Sequence, residues 1–240
     1  MSMRRAELHI HSCLSPCADD DMTPANIAGM AMLGGMDVAA LTDHNSCGNC
    51  PAFFCACEAH GVVPVAGMEL TTAEEIHLVC LFPTLETAMA FDAAVRPYRM
   101  QRKNRPEIFG NQILMDTRDA AAGEESLLLI LATALPLERA VRLVRSYGGA
   151  AYPAHIDRES NGILAILGAI PETPAFETLE VADPDRAQAL AERYRRRVIT
   201  ASDAHHLWNI ADAACTLPLY GGDAQQVRSA LIRLLDGGGR

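Results

Sequence analysis

Six of the eight histidines stand at positions where they could share metal ions. His9 and His11 flank Ile10 in the stretch Ala6 to Ser12. Side chains two residues apart on a strand project from the same face, so these two imidazoles can grip one metal ion. Further candidates come after or within short apolar runs downstream: Asp43-His44, Glu69, His77, His155 and Asp203-Ala204-His205. A lone histidine in such a place is usually a satisfied structural residue. Six together with several carboxylates are costly to gather unless something compensates them, and divalent metals are the simplest compensator. The mixed nitrogen and oxygen donor set suits Zn²⁺, Mn²⁺ or Fe²⁺ better than Mg²⁺ or Ca²⁺.

The elements that must position these groups alternate. Strands are expected over Glu7–His11, 37–42, 62–68, 75–82, 150–154, 176–181 and 198–201, with a fragment near 215–217. Helices are expected near 24–34, 51–60, 85–99, 137–147, 185–195 and 224–235. Thr23-Pro24 is a start signal, an N-cap followed by proline at the first helical position, and Gly61 a stop signal. Alternation of this kind implies parallel strands joined by crossover helices. The reading is an α/β fold in which about seven such strands close into a TIM-like barrel, with the candidate ligands at the C-terminal strand ends where barrels place their active sites. Residues 100–136 break the rhythm and read as a short insertion over the barrel, holding a hairpin at about 112–116 and 127–131. Residues 1–236 are expected to form a single domain and 237–240 a frayed tail.

The chain has 240 residues, half of them hydrophobic, enough for one sizeable core. Its net charge of −10 argues against stable duplex nucleic-acid binding. It does not argue against a phosphorylated substrate, because metals can hold the phosphate. No export signal or membrane span is visible, and eight cysteines are then expected as reduced thiols in the cytoplasm.

The motifs His9-x-His11, Thr42-Asp43-His44, Gly67-Met68-Glu69, Ala154-His155 and Ser202-Asp203-Ala204-His205 resemble, in order and spacing, those of the PHP (polymerase and histidinol phosphatase) family. The resemblance runs from Leu8 to His205. It implies a distorted seven-stranded (β/α)7 TIM-like barrel and a metal-dependent phosphoesterase with two or three divalent ions. One ion would take His9, His11, Glu69 and Asp203; a second would share Glu69 and add His77 and His155. A third would use His44, His205 and an acidic residue of the first loop, Asp19, with Asp20 and Asp21 as alternatives. Glu69, Asp203 and His205 would be the catalytic groups, serving a metal-bridging hydroxide that attacks phosphorus in line. Asp43 and Ser202 could orient ligands, and Arg158 could bind the substrate phosphate as a bidentate donor. The substrate would be a small phosphorylated metabolite, a nucleotide or a short oligonucleotide. The basic cluster Arg96, Arg99, Arg102, Lys103 and Arg105 could reach the distal part of a nucleotide, or form a solvated helix end.

Two other functions compete. An amidohydrolase also begins with H-x-H, but it usually needs a metal-bridging lysine, and Lys103 is the only lysine. A non-enzymatic metal- or redox-responsive module could use Cys13, Cys17, Cys47 and Cys50, whose spacing in the first two loops would suit a structural metal or iron–sulfur site.

Overall fold

The computed structural model describes residues 2–237. In chain order the elements are β1 (Ser2–Glu7), α1 (Pro24–Leu33), β2 (Val38–Leu41), α2 (Cys50–His60), β3 (Val63–Thr71), β4 (His77–Phe82), α3 (Leu85–Val95), α4 (Pro106–Phe109), β5 (Ile113–Met115), β6 (Ala121–Glu124), α5 (Leu137–Ser146), β7 (Ala150–Pro153), α6 (Ile163–Leu167), β8 (Thr178–Val181), α7 (Ala187–Tyr194), β9 (Arg197–Thr200), β10 (Cys215–Leu219) and α8 (Ala224–Asp236). The expected caps form: the Thr23 hydroxyl accepts the Asn26 N–H at the start of α1, and Gly61 takes the left-handed conformation, φ 70°, that stops α2. Gly237 ends α8 in the same way, φ 84°; the rest of the expected tail, 238–240, lies outside the described residues.

The architecture is α/β, but the sheet is not uniformly parallel. Six strands run in the order β10-β1-β2-β3-β4-β7, and β8 and β9 form a separate parallel pair. β1, β2 and β3 are parallel neighbours, while β10, β4 and β7 each pair antiparallel to the strand before them in that order or, for β10, to β1. The physical reason lies in the connections. Only residues 72–76 join β3 to β4, too few for a crossover, so the chain must turn back. Hydrogen bonds from Ile156 N–H to Glu180 O (2.9 Å) and between Ala204 and residues 9 and 11 stitch the pair to the larger sheet at one end, curling the whole. Helix α8 packs on β7, β3, β4 and β10. There Val65, Val79, Leu81, Tyr152, Leu231 and Leu235 make an apolar floor. The larger core lies between the other sheet face and the remaining helices.

The 100–136 segment is strapped to the first two loops. Ile113 N–H donates to Cys13 O (2.8 Å), and Asn45 Nδ2 donates to the carbonyls of Leu129 (2.6 Å) and Leu131 (2.9 Å). Its hairpin is β5–β6, so the second strand falls earlier than the expected 127–131. Asp116 explains the shift: its carboxylate accepts the N–H groups of Arg118 and Ala120 and closes a turn there. Four of the five residues of the basic cluster, Arg96, Arg102, Lys103 and Arg105, are exposed, as a solvated end requires, and Arg99 is the exception. Arg99 is buried against Asp92 (2.6 Å), and Lys103 bridges to Leu127 through the backbone.

Candidate metal centre

Glu69, near the end of β3, is the hub. Its carboxylate is buried and lies 3.2 Å from His9 Nε2, 3.3 Å from His11 Nε2, 3.0 Å from His44 Nδ1, 2.8 Å from His77 Nδ1 and 3.2 Å from His155 Nε2. Asp203 supplies the second carboxylate, 3.2 Å from His9 Nε2 and 3.0 Å from His11 Nε2. The antiparallel β4 matters here. The parallel strands bring their groups from their C-terminal ends, but His77 is the first residue of β4. Because Thr71 pairs with His77 across the ladder, the reversed strand brings His77 to the same end as Glu69.

His9 and His11 lie just beyond β1, in extended chain held by the Ile10–Ala204 bridge, rather than inside the strand as expected. Two candidate ligand positions carry backbone in the left-handed region, His155 (φ 26°) and Asp203 (φ 49°). For residues other than glycine this costs about 1–3 kcal/mol each, a strain that clusters at functional sites.

The imidazole tautomers are fixed from behind. His9 Nδ1–H donates to Glu180 Oε1 (2.8 Å), and His205 Nδ1–H donates to the Asp203 carbonyl (2.8 Å). The Ser15 hydroxyl donates its one proton to Asp43 Oδ1 (2.7 Å). It must therefore accept from His11 Nδ1–H (2.9 Å) and from the His44 N–H (3.1 Å). In its neutral form each of these three rings would offer Nε2, and those of His9 and His11 face the carboxylates. A carboxylate behind a ligating imidazole is a recurrent feature of metal sites.

Charge and desolvation oppose one another throughout. Burial pushes Glu69 upward, yet the imidazoles of His77, His9 and His44 hold it well below the usual carboxylate range. Asp203 is likewise buried and still held low, by His9 and His11. Burial disfavours the charged form of His11 and of His44, but the carboxylates raise both to about 9. His205 moves the other way, down to about 3, through burial and the proximity of His11. Glu69 Oε2, His44 Nδ1 and His155 Nδ1 are buried without a hydrogen bond of proper geometry. Buried donor atoms left unsatisfied around shared carboxylates fit divalent ions. Among the described residues, three groups can converge on an ion: His9, His11, Glu69 and Asp203; His44, Glu69 and His77; and His11, His44 and His205.

The expected ligands are thus brought together with one exception. Asp19 turns its carboxylate to His206 Nδ1, 2.6 Å away, and that imidazole stacks on Trp208. The alternative Asp20 accepts from Asn111 Nδ2 (2.7 Å). Asp43 accepts from the Ser12 N–H and hydroxyl and from the Ser15 hydroxyl, the group that stands behind His11. Ser202 contributes its backbone N–H, donated to Glu7. Arg158 lies against Asp203, its side chain 41% exposed, and lines a cavity of about 140 Å³ with His44, Glu69, His77, His155 and His205. Cys47 and Cys50 turn to the carbonyl of Gly67 and Cys13 to that of Ile113, and among the described residues no metal-ligating cluster includes any of the four loop cysteines. Sequence reasoning missed Glu180 and Glu7. Their signal was a carboxylate within a buried strand: Glu180 in Thr-Leu-Glu-Val, and Glu7 just before the histidine pair. Burial raises Glu7 to about 7.

A curled α/β sheet with a buried histidine–carboxylate cluster at one mouth defines a metal-site fold of the barrel type. The PHP domain family matches residues 7–207, and the chain belongs to that family. No curated protein matches the sequence. Among solved structures, the lesion-specific endonuclease EndoQ from Pyrococcus furiosus aligns over 99% of this chain at 17% identity and TM-score 0.64. The chain spans 57% of that enzyme's length. A protein from Bifidobacterium adolescentis assigned as a metal-dependent phosphoesterase aligns over 98% of both chains at 18% identity and TM-score 0.59. An amidohydrolase from Chromobacterium violaceum, with bound sulfate and no metal, aligns over 90% of this chain and 92% of its own at 20% identity and TM-score 0.57. At these identities the likeness is one of fold.

Proposed function

We propose that this chain is a metal-dependent hydrolase of phosphoester bonds, acting on a small phosphorylated metabolite, a nucleotide or a short oligonucleotide, with its strands serving as the staves of a seven-membered barrel. The observation that carries the reading is the single buried carboxylate of Glu69 shared by five imidazoles. Such a hub neutralises and spaces adjacent cations. His9, His11, Glu69 and Asp203 would hold one ion, Glu69, His77 and His155 a second, and His44 and His205 an outer one. Bound divalent metals supply Lewis acidity toward phosphoryl oxygens and lower the pKa of water there. The chain's own contribution is positional. Glu180 and Ser15 lock His9 and His11 in the tautomer that offers Nε2. Arg158 stands at the rim with its guanidinium partly exposed, placed to receive a phosphate oxygen while holding Asp203.

Duplex DNA stays among the candidate substrates despite the net charge, because an EndoQ complex of this fold contains a 27-mer duplex with an abasic lesion at the active site. The amidohydrolase reading lacks its lysine, since Lys103 sits on the inserted segment. The test is a hydrolysis screen of protein reconstituted with Mn²⁺, Zn²⁺ or Fe²⁺, across phosphomonoesters, nucleotide bisphosphates, short oligonucleotides and lesion-bearing duplexes. Release of phosphate or cleaved product from one class is expected. No product from any of them at full metal occupancy refutes the proposal.

A further inference from the structure

We propose that Trp208 is a stacking platform for the base of a nucleoside phosphate whose phosphate lies at the metal centre; this rests on the metal-hydrolase reading above. Trp208 is the single tryptophan of the chain. It sits in a short turn, Leu207–Asn209, just after the candidate ligand His205. Leu207 and Ile210 pack on the larger core and anchor the turn, while Trp208 between them is 66% exposed. One face of the indole lies on the His206 imidazole, with ring centroids 4.5 Å apart and planes 3° from parallel. His206 Nδ1 lies 2.6 Å from Asp19 Oδ2, and the Asp19 N–H donates to the His205 carbonyl, 3.0 Å away. Asp19, His206 and Trp208 thus form one braced stack beside His205, and its open end is the outer face of the indole. A rigid aromatic held in this way offers contact area at little loss of conformational freedom.

The chemistry around the stack selects the ligand. From His205 to Trp208 the chain spans at most about 10 Å, comparable to the length of a nucleoside monophosphate. At the cavity end, Arg158 and the imidazoles of His44, His77, His155 and His205 are placed for a phosphate. The stack end carries the opposite charge. Asp20 and Asp21 follow Asp19 on the same loop, both exposed, and like charges repel a phosphate there. A flat, uncharged π-face is what this position suits, and every nucleobase has one. The platform therefore selects nucleotides over base-free phosphate esters, without selecting one base over another. It also gives Asp19 a positioning role through His206.

The experiment uses the single tryptophan of the full chain as its own reporter. Fluorescence of the Zn²⁺-reconstituted protein is titrated with adenosine monophosphate, thymidine monophosphate and the base-free control ribose 5-phosphate. Both nucleotides should quench the emission saturably, and ribose 5-phosphate should not. In Trp208→Ala, nucleotide affinity measured by equilibrium dialysis should fall about 5- to 100-fold relative to that for ribose 5-phosphate. Trp208→Phe, which keeps a ring there, should retain most of the nucleotide preference. The wild-type titration needs no variant, so it stands whatever the stability of Trp208→Ala. Equal quenching by all three compounds, quenching by none, or an unchanged nucleotide preference in Trp208→Ala overturns the proposal. Base-dependent quenching in a protein that hydrolyses nothing would sink the hydrolase reading and leave the platform in place. Hydrolysis without base-dependent quenching would do the reverse.

Discussion

Glu69→Gln is the perturbation to which the site should be most sensitive. The substitution keeps shape and packing and removes one charge. That charge is shared by five imidazoles at 2.8 to 3.3 Å and is shielded from solvent. In the metal-free protein it is the main support for the charged form of His44 and shares with Asp203 the support of charged His11, both held near 9 against burial. Breaking a buried ion pair by removing one partner costs about 3–5 kcal/mol. The lower part of that range applies here, because the imidazoles can shed protons once Glu69 is neutral. For a chain of this size 1 kcal/mol moves Tm by about 2–4 °C, so the metal-free variant should melt roughly 6–12 °C below wild type. The metal-dependent difference should be larger still. An ion at a hundredfold excess over its Kd adds about 2.7 kcal/mol per site, and Glu69 belongs to two of the candidate groups. Scanning calorimetry in EDTA and in Zn²⁺, with metal content measured on the same samples, checks both parts. Wild type should gain stability with zinc, and Glu69→Gln should gain little and retain at most the outer ion. A variant with the full metal complement and the full zinc-induced rise in Tm would refute the hub assignment.

Other perturbations separate the supporting residues. Glu180→Gln leaves every candidate ligand in place but weakens the acceptor for His9 Nδ1–H, so metal affinity measured by competition with a chelator should fall about 10- to 100-fold. Asp19→Asn should leave the number of bound metals unchanged, because that carboxylate serves His206; loss of one ion by metal analysis would restore Asp19 to the ligand set. Glu7→Gln tests the buried carboxylate whose pKa rises from 4.5 to about 7. The folded state then holds more protons than the unfolded state between those values, so in EDTA wild type should lose about 3 kcal/mol as pH climbs from 4.5 to 7. Glu7→Gln should match wild type near pH 4.5 and exceed it at pH 8 in urea unfolding, and parallel pH profiles would contradict the assignment.

By itself the sequence determined which elements form and which groups could ligate. Helix starts and stops are local chemistry, so Thr23-Pro24 and Gly61 set their boundaries without help from the rest of the chain. The ligand candidates were legible because histidines and carboxylates at the ends of apolar runs need compensation wherever they meet, and all but Asp19 do meet. What the tertiary structure decided is whatever depends on neighbours far along the chain. The direction of β4, which brings His77 to Glu69, follows from a connection too short to cross over. The partner of His9 is Glu180, 171 residues away, and no local pattern links them. In the first loop Asp19, Asp20 and Asp21 compete for one outer position, and only the family resemblance favours Asp19. The fates of Asp19 and Asp20 are set by where His206 and Asn111 arrive from other parts of the fold. Local propensity fixes backbone, whereas the pairing of charges in a buried site is fixed by which elements the core brings together.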